Sequence, residues 1–164
     1  MKRILFLVSS MQGGGAERVA ALLCDYWVER GHEVTLMPTF SRRGDCLYPL
    51  DRRIHLDYLA DHVSSRGGSL LNKLQRLRAL RCIIRKEKPD VIVSFLPDVN
   101  IAAVIAAWGL SVPVLVSERI YPPAMPLGSV VERLRRWMYP RADAVVVQTD
   151  QAMDWLARHC PKAD

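Results

Sequence analysis

The fold of this chain is decided near its start, by the stretch ILFLVSSMQGGGAERVA at residues 4–20. Ile4–Val8 is an apolar run without polar alternation, which is typical of a strand buried on both faces of a sheet. Three glycines follow. Ala16–Arg30 then repeats apolar residues at helical spacing, and Gly31 is a natural stop for that helix. A strand, a glycine turn and a helix form the first half of a βαβ unit.

The rest of the chain continues this alternation of strands and helices. Further strands are predicted at Val34–Met37, Ile54–Leu59, Val91–Phe95, Val112–Val116 and Ala144–Val147. Further helices are predicted at Leu70–Lys88, capped by Ser69, and at Asn100–Trp108, Ser129–Tyr139 and Asp150–His159, the last capped by Asp150. This order indicates an α/β fold, a Rossmann-like, doubly wound and mostly parallel sheet with helices on both faces. We expect one domain over residues 1–164.

Composition excludes several classes of protein. Half of the residues are apolar and 24% are charged, which is unlike a disordered chain. The longest apolar stretch, Ile101–Leu110, is shorter than the roughly 20 residues of a membrane span. The apolar run after Lys2 and Arg3 is too short for a signal peptide, so we expect a cytoplasmic protein. The four cysteines and four histidines lack ligand spacing, so no metal site is expected.

The net charge of +6 is unevenly distributed. Eight basic residues between Arg66 and Lys88 face a single acidic one, Glu87, and the Ser129–Tyr139 helix is also rich in arginine. Such faces are often only solvated, but near anionic lipid each basic residue contributes about 1 kcal/mol. We therefore predict that these helices contact the inner face of a membrane, through Lys73, Arg76, Arg81, Arg133 and Arg136. Few aromatic residues lie among them, so nucleic acid is not the expected partner.

The three glycines do not match the common nucleotide-binding patterns. The dinucleotide fingerprint requires glycine at position 18, which is Arg18, and an acidic residue at the end of the second strand, where Met37 stands. The chain also lacks the Gly-Lys-Ser/Thr of a triphosphate loop. A tight turn or a general anion site at a helix start both remain possible.

Ligands of such sheets bind beyond the carboxyl ends of the strands. This rule selects three loops, Ser9–Gly15, Leu96–Asn100 and Ser117–Gly128.

Three motifs together resemble the N-terminal half of a GT-B glycosyltransferase of the large retaining family 4. They are Gly13–Arg18, Arg30–Leu36 and Lys88–Val93, and the resemblance extends from Met1 to about Leu156. In that family the N-terminal domain mainly holds the acceptor. A second domain binds the nucleotide-sugar donor and carries paired glutamates, and no divalent ion is required. No such segment is present here, so the resemblance implies an acceptor-binding half that is inactive alone.

The resemblance implies a role for the first loop. Gly13, Gly14 and Gly15, with Arg18, would face the donor diphosphate and the acceptor. Backbone amides there would stabilise a departing phosphate.

The other two loops would contact the acceptor. Many relatives carry a histidine after the fourth strand, and this chain has Asp98 and Asn100 as polar substitutes. Asn100 would hydrogen-bond a sugar hydroxyl or cap the next helix.

Ser117–Arg119 resembles a segment of relatives that act on lipid-linked sugars. Arg119 would bind an acceptor phosphate. Glu118 would orient Arg119 or a sugar hydroxyl, or form an internal ion pair with Arg119.

The predicted function is therefore transfer of a sugar from a nucleotide sugar to a lipid-linked or cell-envelope glycan, with retention. Two alternatives remain open: an inverting GT-B enzyme, such as the peptidoglycan N-acetylglucosamine transferase, and a non-enzymatic Rossmann module that binds an anion or nucleic acid.

Overall fold

The computed structural model describes residues 1–41, 46–63 and 70–161. Within them, six parallel strands form one sheet in the order β3-β2-β1-β4-β5-β6. The strands are β1 (Arg3–Val8), β2 (Glu33–Pro38), β3 (His55–Leu56), β4 (Val91–Phe95), β5 (Val114–Ser117) and β6 (Ala144–Val146). The helices are α1 (Gly15–Glu29), α2 (Leu70–Glu87), α3 (Pro97–Ala107), α4 (Ser129–Met138) and α5 (Asp150–His159). The predicted Rossmann-like, doubly wound class is confirmed.

Strand β1 is the centre of the sheet and separates two cores. Phe6 packs with residues of α1, whereas Leu5 and Leu7 pack with residues of α2 and α3. All three side chains are fully buried, which explains why the run lacks polar alternation. One face is covered by α1 and the other by α2, α3, α4 and α5.

The strand order reverses between β1 and β4. The connection from β1 runs outward to β2, whereas that from β4 runs outward to β5. Such a switch point opens a crevice at the carboxyl ends of the strands. The glycine loop follows β1 and Leu96 follows β4, so two of the three selected loops meet at this crevice.

Two predicted helix starts differ from the structure. α3 begins at Pro97 rather than Asn100, because proline suits the first helical position, where no backbone N–H is needed. α5 is capped by Thr149 rather than Asp150, with Thr149 Oγ1 accepting from the Ala152 amide at 3.2 Å. Ser69, expected to cap α2, and Arg66 lie outside the described residues.

The described residues contain no helix long and apolar enough to span a membrane. Nor does a group of three or more metal-ligating side chains occur among them.

Arg81 stabilises the end of a neighbouring helix. Its Nη1 donates to the carbonyl oxygens of Ala106 at 2.8 Å and Trp108 at 2.7 Å, at the C-terminus of α3. The last carbonyls of a helix lack intrahelical donors, and a cation there is favoured by the helix dipole. The prediction that Arg81 contacts the membrane is therefore wrong, because its guanidinium is used within the fold.

Replacing Arg81 with alanine should destabilise the domain. We expect Arg81→Ala to lower the free energy of unfolding by about 1–2 kcal/mol, since two charge-assisted hydrogen bonds are lost at a partly exposed site. Arg85→Ala, an exposed arginine on the same helix, is the matched control and should change it by less than about 0.5 kcal/mol. Urea unfolding measures both. Equal midpoints for the two variants would contradict this assignment.

Candidate functional site

The glycine loop needs glycine at its first two positions. Gly13 has a φ of +124°, a backbone conformation that is strained for other residues. A Cβ on Gly14 would lie 2.4 Å from Oε2 of Glu17. A Cβ on Gly15 would meet nothing within 4 Å, since this residue begins α1. The loop therefore makes a close turn at Gly13 and Gly14 and points the first-turn amides of α1 toward the crevice.

Tyr48 holds this loop from outside. Its hydroxyl accepts from the Gly14 amide at 3.1 Å and donates to the Gly14 carbonyl at 2.9 Å. The Leu47 amide also bonds the Met11 carbonyl at 2.8 Å, so the chain after β2 returns alongside the loop. Sequence reasoning missed Tyr48, because it lies in a polar stretch without periodicity and the contact is made across 34 residues.

Glu17 and Arg18 place opposite charges at the start of α1. Glu17 Oε1 accepts from Ser10 Oγ at 3.3 Å, which keeps the carboxylate beside the loop, and Arg18 is exposed one position later. A carboxylate at a helix N-terminus is favoured by the dipole. An anionic ligand at this loop would therefore have to displace Glu17, with Arg18 as the nearby cation.

The link between β4 and α3 is strained. Leu96 has a φ of +74°, which is unfavourable for a bulky residue, and its amide bonds the Ser117 carbonyl at 3.2 Å. Such strain persists only where the surroundings fix the backbone, and it is common at functional sites. Asp98 is exposed in the first turn of α3. This places the Asp98 carboxylate on the surface at the carboxyl end of β4.

Asn100 is fully buried. Its Nδ2 donates to the Ser117 carbonyl at 3.0 Å and to the Tyr139 hydroxyl at 2.9 Å, and its Oδ1 accepts from Ser94 Oγ at 2.8 Å. Both earlier expectations for Asn100 are therefore wrong. The side chain neither meets a sugar nor caps α3, because it joins β4, β5 and the segment after α4.

Glu118 belongs to the same buried network. Its Oε1 accepts from the Tyr139 hydroxyl at 2.5 Å and lies 3.5 Å from Arg135 Nη1. Arg135 also binds Glu132 at 2.5 Å and lies over the Trp155 ring at 4.3 Å. The partner of Glu118 is thus Arg135, and the predicted pairing with Arg119 is wrong. Burial raises the pKa of Glu118 and that of Tyr139.

Arg119 is left without a carboxylate in this network. It is half-buried at the end of β5, and its guanidinium lies over the Phe95 ring at 4.7 Å. In the described ranges its Nε is buried with no hydrogen-bond partner. Burial lowers the pKa of Arg119. The guanidinium is thus held against the Phe95 ring next to the carboxyl end of β5, and in the described ranges its buried Nε is left without a hydrogen-bond acceptor.

The other predicted membrane contacts are in different environments. Arg136 donates to Glu132 at 3.2 Å and is half-exposed, while Arg133 is exposed. Lys73 is exposed on α2, but Arg76 is half-buried against the Phe40 ring, 5.6 Å from its centroid. The basic residues of α2 and α4 therefore do not form one continuous solvated face.

Comparison with known families identifies this domain. Residues 14–164 match the family model described as a glycosyl transferase 4-like domain. The chain belongs to this glycosyltransferase family. The match includes Gly14 and Gly15 of the glycine loop and the whole of the other two selected loops, Leu96–Asn100 and Ser117–Gly128.

A sequence relative of this glycosyltransferase domain comes from Campylobacter jejuni. It is an α-1,4-N-acetyl-D-galactosaminyltransferase, 28% identical over 148 residues. Its name gives its acceptor as a GalNAc-GalNAc-diNAcBac glycan on PP-undecaprenol. The alignment covers 90% of this chain and 40% of that enzyme. This chain thus spans well under half the length of the relative.

Solved structures share the fold. Sucrose-phosphate synthase from Thermosynechococcus elongatus superposes with a TM-score of 0.77 at 12% identity, over 99% of this chain and 46% of that one. MurG from Acinetobacter baumannii superposes with a TM-score of 0.64 at 17% identity, over 93% and 42%. At these identities the likeness extends to the fold alone. The glycosyltransferase domain therefore has the architecture of a GT-B N-terminal half.

The buried network of the glycosyltransferase domain should be costly to break. We expect Arg135→Met to lower the free energy of unfolding by about 3–5 kcal/mol, because Glu118 is left as an uncompensated buried charge. Arg136→Met is the matched control, since it also removes a partner of Glu132 but at a half-exposed site, and should cost under about 1 kcal/mol. Chemical denaturation compares them.

A second variant separates the lost charge pair from lost packing. Adding Glu118→Gln to Arg135→Met should restore part of the stability, since the stranded charge is removed. No recovery in the double variant would show that the loss came from packing on Trp155 instead.

Proposed function

We propose that this domain is the acceptor-binding half of a retaining glycosyltransferase. The enzyme would move a hexosyl group from a nucleotide sugar to a lipid-linked or cell-envelope glycan at the cytoplasmic face of the membrane. The observation that carries the proposal is Arg119 at the end of β5, whose guanidinium lies over the Phe95 ring and whose buried Nε has no hydrogen-bond partner among the described residues. The acceptor named for the Campylobacter relative supports a diphosphate-linked glycan as substrate.

The chemistry divides between two domains in this proposal. A second domain binds the donor and supplies the groups that break the bond between the anomeric carbon and the diphosphate. This domain positions the attacking hydroxyl of the acceptor, whose proton passes to the departing diphosphate oxygen as the new glycosidic bond forms. Once Glu17 is displaced from the start of α1, the first-turn amides with Arg18 stabilise the departing diphosphate without a divalent ion. On its own the domain binds acceptor but transfers no sugar.

Arg119 contacts the sugar end of the acceptor. A charge-assisted hydrogen bond from its guanidinium to the acceptor would fix the glycan beside the glycine loop. Glu118 takes no direct part, because its carboxylate is bound by Tyr139 and Arg135. Asp98, exposed on α3, is the remaining acidic group predicted to touch the acceptor at this edge.

Removing Arg119 should weaken acceptor binding selectively. In the full-length enzyme, we expect Arg119→Ala to raise KM for the acceptor by about tenfold or more, as loss of a charge-assisted hydrogen bond predicts. KM for the nucleotide sugar should stay within about twofold, since the donor contacts lie on the other domain. Arg30→Ala, an exposed arginine at the opposite edge of the sheet, is the control. A larger effect on donor KM would assign Arg119 to the donor side.

Membrane attachment is the second part of the proposal. Helix α4 presents Val130, Arg133 and Trp137 on one exposed side, at the i, i+3 and i+7 spacing of a helix face. Apolar and aromatic side chains beside basic ones suit the boundary of an anionic bilayer. Arg136, half-exposed on the same helix, is paired with Glu132 and so adds little net charge to this side.

Membrane attachment should depend on charge at Arg133. We expect Arg133→Glu to reduce sedimentation with vesicles containing phosphatidylglycerol, and salt to weaken wild-type binding, because the attraction is screened. Arg158→Glu, which makes the same charge change at an exposed site on α5, should bind nearly as wild type. Equal binding to neutral vesicles would contradict the electrostatic account.

A further inference from the structure

An apolar groove runs between α2, α3 and α4 on one face of the sheet. Its volume is about 330 Å³. Most of its lining is aliphatic, and includes Leu77, Ile101, Ala102, Ile105, Val131 and Leu134. The groove follows α3 from Asp98 to Ile105, which is roughly 10 Å at the helical rise per residue. It has the length and chemistry to hold a short piece of hydrocarbon chain.

One end of the groove is positively charged. Lys73 and Arg76 line it from α2, and among the described lining residues the one carboxylate is that of Asp98. Within the part of the chain that the structure describes, Nη2 of Arg76 is buried and has no hydrogen-bond partner. A buried guanidinium nitrogen without an acceptor is unfavourable. Arg76 Nη2 is therefore available to donate to an anionic group at this end of the groove.

The charged end lies at the carboxyl edge of the sheet. Thr39 and Phe40, which follow β2, line it together with Asp98 in the first turn of α3. The glycine loop and Arg119 lie at the same edge. A ligand with its anionic group at Arg76 would therefore have that end on the crevice side of the domain.

An apolar surface extends from the groove toward solvent. Leu70, Leu71 and Leu74, at the start of α2, are 82%, 72% and 44% exposed. Leu74 lies one turn before Leu77, which lines the groove, so the two are neighbours on the helix. Exposed leucines in such a cluster indicate contact with an apolar phase. These leucines lie at the same end of α2 as Lys73 and Arg76, so an apolar surface adjoins the charged end of the groove.

We propose that this groove binds the first isoprenoid units of a phosphorylated polyprenyl lipid, with Arg76 and Lys73 holding the phosphate. This rests on the proposed function and deepens it, because it assigns the lipid end of the acceptor to residues that no comparison identifies. The sequence predicted that Arg119 binds the acceptor phosphate. In this proposal the phosphate instead binds Arg76 and Lys73, which adjoin the apolar groove. Arg119 contacts the sugar end of the acceptor, as proposed above.

Calorimetric titration of this chain with farnesyl phosphate tests the site. Farnesyl phosphate should bind at least about tenfold more tightly than either inorganic phosphate or farnesol, because it combines the charged group with the apolar tail. If inorganic phosphate bound as tightly as farnesyl phosphate, the site would bind anions without using the apolar groove, and the proposal would be overturned. Farnesol binding as tightly would remove the role of Arg76.

Two substitutions locate the ligand. Arg76→Gln should weaken farnesyl phosphate binding about tenfold through loss of a charge-assisted contact, with Arg78→Gln, an exposed neighbour on α2, as control. Ala102→Met should also weaken it by partly filling the groove, with Ala157→Met, on the exposed side of α5, as control. Thermal melting checks that each variant is folded. Unchanged affinity in folded Ala102→Met would overturn the proposal.

The outcome is separable from that of the proposed function. If farnesyl phosphate binds as expected but the full-length enzyme transfers no sugar to a polyprenyl-linked acceptor, the groove is supported and the proposed function fails. If the enzyme glycosylates such an acceptor and folded Arg76→Gln and Ala102→Met leave its KM unchanged, the proposed function stands and the groove is overturned.

Discussion

The buried ion pair between Arg135 and Glu118 is the constraint on which the carboxyl edge of the sheet depends. Both side chains are only 2% exposed, and a buried charge that loses its partner costs several kcal/mol. The pair therefore fixes α4 against the end of β5. Through Tyr139 the network continues to Asn100, which bonds the ends of β4 and β5. One set of hydrogen bonds thus determines where the second and third crevice loops lie.

This network also separates structural polar groups from those available to a ligand. Asn100 and Glu118 make their hydrogen bonds within the protein, whereas the guanidinium of Arg119 lies beside them over the Phe95 ring. The strain at Leu96 belongs to the same region, since its amide bonds the Ser117 carbonyl. A satisfied buried network of this kind holds the loops at this edge of the sheet in one arrangement.

The sequence was sufficient for the fold but not for the site. The apolar run Ile4–Val8 and the helical periodicity after it are local signals, and the βαβ order they imply was confirmed. The role of a polar residue depends on which neighbours the fold brings to it. Arg81 caps α3 across 25 residues, and Tyr48 holds the glycine loop across 34. Neither contact has a local signature in the sequence. Arg81 was therefore predicted to lie on the surface, and no role was predicted for Tyr48.

The central claim is that acceptor binds at the carboxyl edge of this sheet. Amide chemical-shift mapping of the ¹⁵N-labelled chain, titrated with N-acetylgalactosamine linked to farnesyl diphosphate, tests it most directly. The account predicts shifts concentrated at Leu96 and Asp98, at Ser117–Ile120, in the first turn of α1 and around Lys73 and Arg76 on α2. Shifts confined to the opposite edge, at Gly31–Glu33 and Gly109–Val112, would contradict it.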